Sequence, residues 1–406
     1  MPLDIISPQG FLNFIGRIVW DTRYIWPPLV AIKFFWWTWL KYIRAGFIKD
    51  LEWILLEVKI PREMRKSPRA MELILNGLYS TSGASNFMKK YWLGTVIQWI
   101  SLEVASIGGE IHFFIRVQKK HKNITEAQIY GQYPEAEIVE VDDYANFSLT
   151  DEFLDGWQTW GTEPVLTNPD PYPIRTYIDY GLDKAGVKEE EKIDPMTSFV
   201  EYMGSIQPGH QVWVQILLRA VKNESGNWQD EGKKEVEKIL SMNDEKDAEM
   251  RARRMSGATS GQKEIVTAIE KNISKLGFHT AIRLIYLAEK DKFNPSNIAG
   301  LVGTLNQYNY VGLNGFKPNN TTEVDYPPFK DRRLNKMKMG MLSGYRDRGF
   351  FYDHYTDWKT FFANKPFVLS TEEVATIYHY PGGVSETPTY GRVESRKGEA
   401  PANLPF

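Results

Sequence analysis

The apolar positions of the N-terminal segment follow helical rather than strand spacing. Between residues 11 and 19 they recur on one helical face, and Arg17 falls on the opposite face. Pro27-Pro28 interrupts this pattern and suits the first turn of a second helix. That helix is predicted over about 29–43 and is apolar around almost its whole circumference. We therefore expect two N-terminal helices, the first of which lies in the plane of an interface.

Tryptophan is concentrated in this segment, because six of the 13 tryptophans lie between Trp20 and Trp53. Indole rings are apolar with one N–H donor, and they favour membrane–water interfaces. A complete span needs roughly 20 apolar residues, whereas the second helix is shorter and carries Lys33 and Lys41. Residues 1–48 are therefore predicted to be membrane-associating helices, monotopic or re-entrant; a single span and a soluble aromatic-rich cap remain alternatives. The predicted anchoring residues are Phe11, Ile15, Trp20, Trp26, Phe34, Phe35, Trp36, Trp37 and Trp39.

Basic residues follow the apolar stretch at Lys41, Arg44 and Lys49. Lysine and arginine are enriched on the cytoplasmic side of membrane proteins. We therefore expect the protein at the cell membrane, with its body on the cytoplasmic side. A cleaved signal peptide is not predicted, since no basic n-region precedes the apolar stretch and no small-residue cleavage site follows it.

Residues 49–150 alternate between strand and helix patterns. Ser67-Pro68 opens one helix, and Gly108-Gly109 is a hairpin turn. The order of elements is βαββαβ, which predicts a first ferredoxin-like module. Its predicted strands are 51–60, 95–104, 110–117 and 136–141, and a second helix covers 125–132.

The same pattern returns less regularly over residues 165–315. A charged stretch, 222–261, stands where the second hairpin strand is expected, and we predict a helical insertion there. The fold class is therefore α+β, with N-terminal membrane-associated helices followed by two ferredoxin-like modules, the second with a helical insertion. The predicted strands of the second module are 174–180, 209–221 and 278–287, and its helices are 194–203, 262–276 and 295–308.

Residues 316–406 are predicted to form a basic and aromatic segment, a short helix and an extended tail. The short helix is opened by a capping box, in which Ser370 and Glu373 satisfy each other's backbone N–H groups. Proline at 388, 401 and 405 favours an extended tail.

Composition excludes several classes of chemistry. The chain has 406 residues, and its 49 basic and 51 acidic side chains give a net charge of −2. This balance gives no global nucleic-acid footprint. The sequence contains no cysteine, which excludes disulfides, thiolate zinc sites and a cysteine nucleophile.

The remaining candidates for chemistry are weak. Ser256–Lys263 departs from the phosphate-loop pattern G-x-x-x-x-G-K-S/T in glycine spacing and lacks the final hydroxyl, so it is interpreted as a loop between helices. Asp353, His354 and Asp357 form a metal or hydrolase candidate without a second histidine at ligand spacing. The acidic residues of 135–143 are interpreted as a solvated strand face. We predict no catalytic residue, no cofactor and no metal, and hence no enzyme.

Two basic clusters are candidate contacts to phosphates of lipid or nucleic acid. A solvated linker is the favoured interpretation of both clusters. Stacking of single-stranded RNA on sheet aromatics is disfavoured, because Phe113 and Phe114 are adjacent and so point to opposite faces. The candidate residues are Arg251, Arg253, Arg254, Lys330, Arg332 and Arg333.

Several stretches carry a family resemblance. Leu51–Pro61, Ser101–Phe113, Gln128–Ile138, Leu369–Pro381 and the tail Arg392–Pro405 resemble the N-terminal region of bacterial conjugation and type IV secretion ATPases. In that family a segment similar to Gly398–Pro405 precedes a RecA-like motor domain with a Walker motif, and these 406 residues contain no such motif.

The resemblance implies the membrane-proximal, non-motor part of a DNA-transfer machine. The expected function is a structural adaptor that docks to a separate motor ATPase or to other secretion-machine subunits. A further copy of the chain is another expected partner, and nucleic acid stays open as one. The alternative is a membrane-tethered nucleic-acid-binding module that uses the basic segments 251–254 and 330–338.

Overall fold

A computed structural model describes most of the chain. The described residues are 14, 17, 20–24, 26–61, 66–81, 86–146, 156–184, 193–222, 227–240, 255–324, 329–352 and 365–381. They divide into two compact units. The first unit combines residues 1–51, 83–96 and 352–360, and the second combines residues 52–82, 97–351 and 361–406.

The α+β class predicted from the sequence is confirmed. The strands are β1 Trp53–Lys59, β2 Trp99–Ile107, β3 Glu110–Gln118, β4 Glu137–Val141, β5 Trp157–Thr162, β6 Val165–Leu166, β7 His210–Ala220, β8 Gly277–Glu289, β9 Phe316–Lys317 and β10 Phe367–Ser370. The α-helices are α1 Trp26–Lys49, α2 Arg69–Leu78, α3 Phe87–Tyr91, α4 Lys122–Gln132, α5 Pro195–Gly204, α6 Trp228–Ile239, α7 Ser260–Ile273, α8 Pro295–Gly303, α9 Lys330–Arg346 and α10 Thr371–Ile377.

The second unit is built on one eight-stranded antiparallel sheet. Its order is β10-β8-β7-β2-β3-β1-β4, and β5 also pairs with β8. The strands β10 and β5 occupy opposite ends of the same edge of β8, at registers Phe367↔Thr280 and Thr162↔Leu284. Pairing of β2 with β7 joins strands from residues 49–150 and 165–315 into this single sheet. Strands β6 and β9 form a separate two-stranded sheet.

The two faces of the large sheet are covered differently. Helices α2, α4, α5, α8 and α10 cover one face, over a core that includes Leu56, Val104 and Ile115. The opposite face carries a smaller apolar core in which Met341 and Leu342 of α9 pack near strand residues. Helices α6 and α7 pack on each other around a third apolar cluster.

The hairpin predicted at Gly108-Gly109 is confirmed. It joins β2 to β3, and both glycines have positive φ, +62° and +97°. A Cβ atom on Gly109 would lie 2.6 Å from the Ile206 carbonyl oxygen. Glycine is therefore required there by both backbone conformation and close approach.

The strand predicted over 174–180 is wrong, since the structure has turns there. The Asp179 carboxylate accepts hydrogen bonds from the N–H and the hydroxyl of Thr176, at 2.8 and 3.1 Å. The Ile174 N–H donates to Glu373 and the Tyr177 N–H to the Thr376 hydroxyl. Side chains thus satisfy the backbone donors that a sheet ladder would need.

The basic segment beyond Asn314 is more ordered than predicted, because Lys330–Arg346 forms the helix α9. Its second half carries Met341, Leu342 and Tyr345, which are buried on the sheet. The many charges of its first half conceal the apolar positions from a periodicity analysis.

The segment from Phe367 to Pro381 is buried at every position. The predicted capping box is confirmed, with Ser370 and Glu373 satisfying each other's backbone N–H groups. The short helix α10 packs against α2 and α5, so this late part of the chain lies within the helical layer over the sheet.

Candidate functional site

Helix α1 presents large apolar side chains to solvent. Phe34 and Phe35 are 57% and 61% exposed, and none of the described residues of α1 is buried. Among the predicted anchoring residues, Trp20, Trp26, Trp36 and Trp37 are also exposed, whereas Trp39 is half-buried. Phe11 and Ile15 lie outside the described residues. Among helices in the described ranges, none combines the length and apolarity needed to cross a membrane.

A second exposed apolar segment lies in the same unit and was missed by sequence reasoning. Phe87 and Met88 of α3 and the following Trp92 and Leu93 are 56–63% exposed. The signal was available, since apolar residues recur at helical spacing over 87–92. We call the exposed apolar side chains of α1 together with these four residues the aromatic surface.

The two segments of the aromatic surface are in direct contact. The Trp39 indole N–H donates a 3.0 Å hydrogen bond to the Tyr91 carbonyl oxygen. The Trp39 and Trp92 rings meet edge to face at 6.1 Å, and the Trp36 and Tyr91 rings lie 5.6 Å apart. At Gly94, with φ +62°, a Cβ atom would lie within 2.4 Å of the backbone of α1. The half-buried state of Trp39 follows from these contacts.

A second candidate is the buried polar network on the sheet face under α9. Glu103, Gln215 and Arg283 are direct neighbours across β2, β7 and β8. The Gln215 amide donates to Glu103 at 3.4 Å, and the Arg283 guanidinium donates to Gln215 at 3.1 Å. Arg283 also forms a 2.8 Å ion pair with Glu163.

Arg348, two residues after the end of α9, completes this network. Its guanidinium donates to Glu103 and to Asp143, and its backbone φ of +49° lies in the left-handed region. Burial acts to raise the pKa of Glu103, but the charge and hydrogen bonds of Arg348 outweigh it and lower that pKa to about 2. The Tyr144 hydroxyl completes the site by donating to Glu103 at 2.8 Å.

The charged groups of the network are hydrogen-bonded to one another. Glu103 and Arg348 are both fully buried, so no substrate reaches them in this conformation. Asp143, which sequence reasoning placed on a solvated strand face, instead pairs with Arg348. We interpret the network as a structural tie between α9 and the sheet.

A surface cavity of about 360 Å³ lies between α7 and the turns of 173–179. Its charged lining is mixed: Asp179, Glu264 and Glu372 face Lys263 and Lys271. The cavity adjoins the segment Ser256–Lys263, which was predicted to be a loop between helices and whose last four residues instead form the first turn of α7. There Thr259 caps α7 through a capping box with Gln262, so this loop satisfies its own N–H groups rather than cradling a phosphate. The mixed charge points to no one class of ligand.

The remaining sequence candidates are dispersed. Lys330, Arg332 and Arg333 lie in the exposed first turns of α9. The cluster at Arg251, Arg253 and Arg254 falls outside the described residues, as do Asp353, His354 and Asp357. Over the described ranges, no group of three histidine or carboxylate side chains has the geometry to hold a metal ion.

His379, the other histidine near the metal candidate in sequence, is buried in the second unit. Its Nε2 lies 3.1 Å from the Asp194 carboxylate, and its Nδ1 lies 2.9 Å from the Ala375 carbonyl oxygen. Burial acts to raise the pKa of Asp194, but the charge and hydrogen bond of His379 outweigh it and lower that pKa.

The fold and its sites define an α+β protein with an antiparallel sheet and an exposed aromatic helix. A family model described as a domain of unknown function, DUF8128, matches residues 49–392, and the chain belongs to this family. No curated protein matches the sequence.

Proposed function

We propose that the protein is a membrane-associated adaptor without catalysis of its own. The aromatic surface binds the membrane, and the sheet unit provides the contacts to partner proteins. The observation that carries this proposal is the exposure of large aromatic side chains along α1.

Burial of the aromatic surface in a membrane supplies enough free energy for attachment. Complete burial of one large apolar side chain is worth about 1.5–3 kcal/mol, so partial burial of several suffices for stable attachment to the membrane. Extended groups of exposed apolar side chains mark membrane or protein contacts. Lys33 and Lys41 favour an interfacial position of α1, because their ammonium groups remain at the headgroup level while the stems lie along the apolar region.

We further propose that residues 53–141 form a ferredoxin-like module. Strands β1 to β4 alternate with α2 and α4 in the order βαββαβ, and they lie side by side as β4-β1-β3-β2. For residues 165–315 the turns at 174–180 remove the first strand of such a module, and the proposal is limited to the first.

The process that we propose is conjugation or type IV secretion, on the cytoplasmic face of the membrane. This part of the proposal rests on the resemblance of Leu51–Pro61, Ser101–Phe113 and Leu369–Pro381 to conjugation ATPases. The expected partner is a motor ATPase or another secretion subunit. We expect a gene for such a motor ATPase next to the gene for this protein. We also expect deletion of the gene for this protein to abolish DNA transfer. Normal transfer in the deletion strain would contradict it.

Membrane attachment is tested by flotation of the purified full chain with phosphatidylcholine vesicles. The chain should float with the vesicles, and the triple substitution of Phe34, Phe35 and Trp36 by serine should weaken binding at least ~10-fold, because it removes apolar area from the interface. Phe329→Ser is the matched control, since Phe329 is 72% exposed in the second unit. Equal flotation of the triple variant and the parent would refute the proposal.

Nucleic-acid binding is a second candidate, favoured by one observation. The first turns of α9 gather Lys330, Arg332 and Arg333 on an exposed half-helix that the sequence did not predict. Phosphate contacts make affinity depend steeply on salt, with a slope near −0.9 per contact on B-DNA. Charge reversal of the three residues should remove salt-dependent DNA binding, whereas reversal of Lys233, Lys234 and Lys238 on α6 should not. Absence of binding by the parent chain at about 50 mM salt would eliminate this candidate.

A further inference from the structure

We infer that residues Asn86–Leu93 form a second membrane contact that selects anionic lipid headgroups, an inference that rests on the membrane attachment proposed above. The segment is separate in sequence from α1. Its geometry, its attachment to α1 and the charge around it all lead to the same partner.

The geometry is that of a short interfacial helix. The Asn86 side chain accepts a 2.9 Å hydrogen bond from the Lys89 N–H and starts α3. At 100° per residue, Phe87, Met88 and Trp92 fall on one half of the helix, and Lys89 and Lys90 fall on the other. Helices that lie in a membrane interface place aromatic rings at the acyl boundary and lysines at the headgroups.

The segment is held in place before any lipid binds. The Trp39 indole N–H donates to the Tyr91 carbonyl oxygen at 3.0 Å, and the Trp39 and Trp92 rings meet at 6.1 Å. Gly94, two residues after Trp92, lies so close to the Ile43 carbonyl oxygen that a Cβ atom would be 2.4 Å from it. Because these contacts fix the backbone, little conformational entropy remains to be lost on binding.

The charge of this unit favours an anionic surface. In the described residues 26–51 and 86–96 there are six basic side chains and one acidic side chain, Asp50. Lysines beside a membrane are attracted to anionic lipids within about a Debye length of the surface. Lys89 and Lys90 are exposed, and Lys90 lies 5.2 Å above the Tyr91 ring. The basic side chains are Lys33, Lys41, Arg44, Lys49, Lys89 and Lys90.

The test compares vesicles of phosphatidylcholine alone with vesicles that also contain phosphatidylglycerol, using the full chain in a flotation assay. We expect the parent chain to bind the anionic vesicles more tightly, and we expect about 1 M salt, at which the Debye length is about 3 Å, to remove the difference. Lys89→Glu with Lys90→Glu should weaken binding to anionic vesicles at least ~10-fold and change binding to neutral vesicles less than ~2-fold. The control is Lys233→Glu with Lys234→Glu, an exposed lysine pair on a helix of the second unit.

A second variant, Phe87→Ser with Met88→Ser, should weaken binding to both kinds of vesicle, because it removes apolar contact rather than charge. Equal binding of the parent chain to both vesicles, or unchanged anionic binding by the Lys89 and Lys90 variant, would overturn this inference and leave membrane attachment standing. If the parent chain floats with neither vesicle, both the attachment and the inference are overturned.

Discussion

The guanidinium of Arg348 donates two hydrogen bonds of 2.9 Å to the carboxylate of Glu103, which lies 245 residues earlier in the chain. Both side chains are fully buried. The bidentate geometry is the strongest that an arginine and a carboxylate can form. It attaches the end of α9 to a central strand of the sheet, and much of the stability of this sheet face therefore depends on one pair.

Arg348→Met should lower the free energy of unfolding by about 3–5 kcal/mol, because it leaves the charge of the fully buried Glu103 without its partner. Urea denaturation of the purified chain measures this loss. Arg346→Met is the control, since Arg346 is one-third exposed and should change stability by less than about 1 kcal/mol. Adding Glu103→Gln to the Arg348 variant should recover part of the loss, and a single-variant loss below about 1 kcal/mol would contradict the prediction.

The contribution of Glu373 and Asp170 to stability should fall as pH rises from about 4.5 to 7. Burial raises the pKa of Glu373 from its usual 4.5 to about 7, and that of Asp170 to about 6. The folded chain therefore holds these protons more tightly than the unfolded chain, so the contribution is complete below the unfolded pKa and is lost as pH rises through the folded pKa. The measurement is the midpoint of unfolding at a series of pH values from about 4.5 to 7.5, spaced about half a pH unit apart.

The combined substitution Asp170→Asn and Glu373→Gln should flatten this pH dependence, because neither amide titrates. Glu137→Gln, on the exposed edge strand, should leave the slope unchanged. Glu103 acts in a separate window: its pKa is lowered to about 2, so its contribution is lost as pH falls from 4.5 towards 2. An identical pH dependence of stability in the doubly substituted chain and the parent chain would be the opposite result.

The two capping boxes in the described part of the chain should differ in their contribution to stability. The Thr259 hydroxyl accepts from the Gln262 N–H at an exposed helix start, and the Ser370 hydroxyl accepts from the Glu373 N–H at a buried one. Thr259→Ala should cost about 1 kcal/mol. Ser370→Ala should cost about 1–3 kcal/mol, because no water replaces the lost acceptor. Equal losses in chemical denaturation would show that burial does not matter here.

The hairpin glycines should respond differently to substitution. Gly109→Ala should cost at least about 1–3 kcal/mol, because of its left-handed conformation and the 2.6 Å approach to the Ile206 oxygen. At Gly108 the nearest atom would be 3.5 Å away. Gly108→Asn should therefore cost less than about 1 kcal/mol, since asparagine tolerates positive φ. Thermal unfolding of the two variants distinguishes these outcomes, and the reverse order would contradict the prediction.

Features with a local chemical signal were predictable from the sequence. Gly108-Gly109 marked a hairpin, Asp194-Pro195 marked the start of α5, and Ser370 with Glu373 marked the start of α10. Each signal acts within four residues, because a turn or a cap is satisfied by its own neighbours.

Features that depend on distant partners were not predictable. Asp143 was placed on a solvated strand face because nothing near it in sequence announces Arg348. The apolar stretch Ile174–Tyr180 has strand spacing, yet the Asp179 and Glu373 carboxylates take its N–H donors. The helical spacing of apolar residues over 87–92 is visible in the sequence, but the contact to Trp39 that holds this segment against α1 is not.

The buried segment from Phe367 to Pro381 determines when the protein can finish folding. The Tyr378 hydroxyl donates to the Phe114 carbonyl oxygen and the Thr371 hydroxyl to Glu72, across 264 and 299 residues. During synthesis, the helical layer over the sheet stays incomplete until residues 367–381 have left the ribosome. Completion of the helical layer then depends on contacts between residues that are far apart in sequence, and such contacts form slowly. The nascent chain thus passes through a stage in which its largest apolar core is open to chaperones.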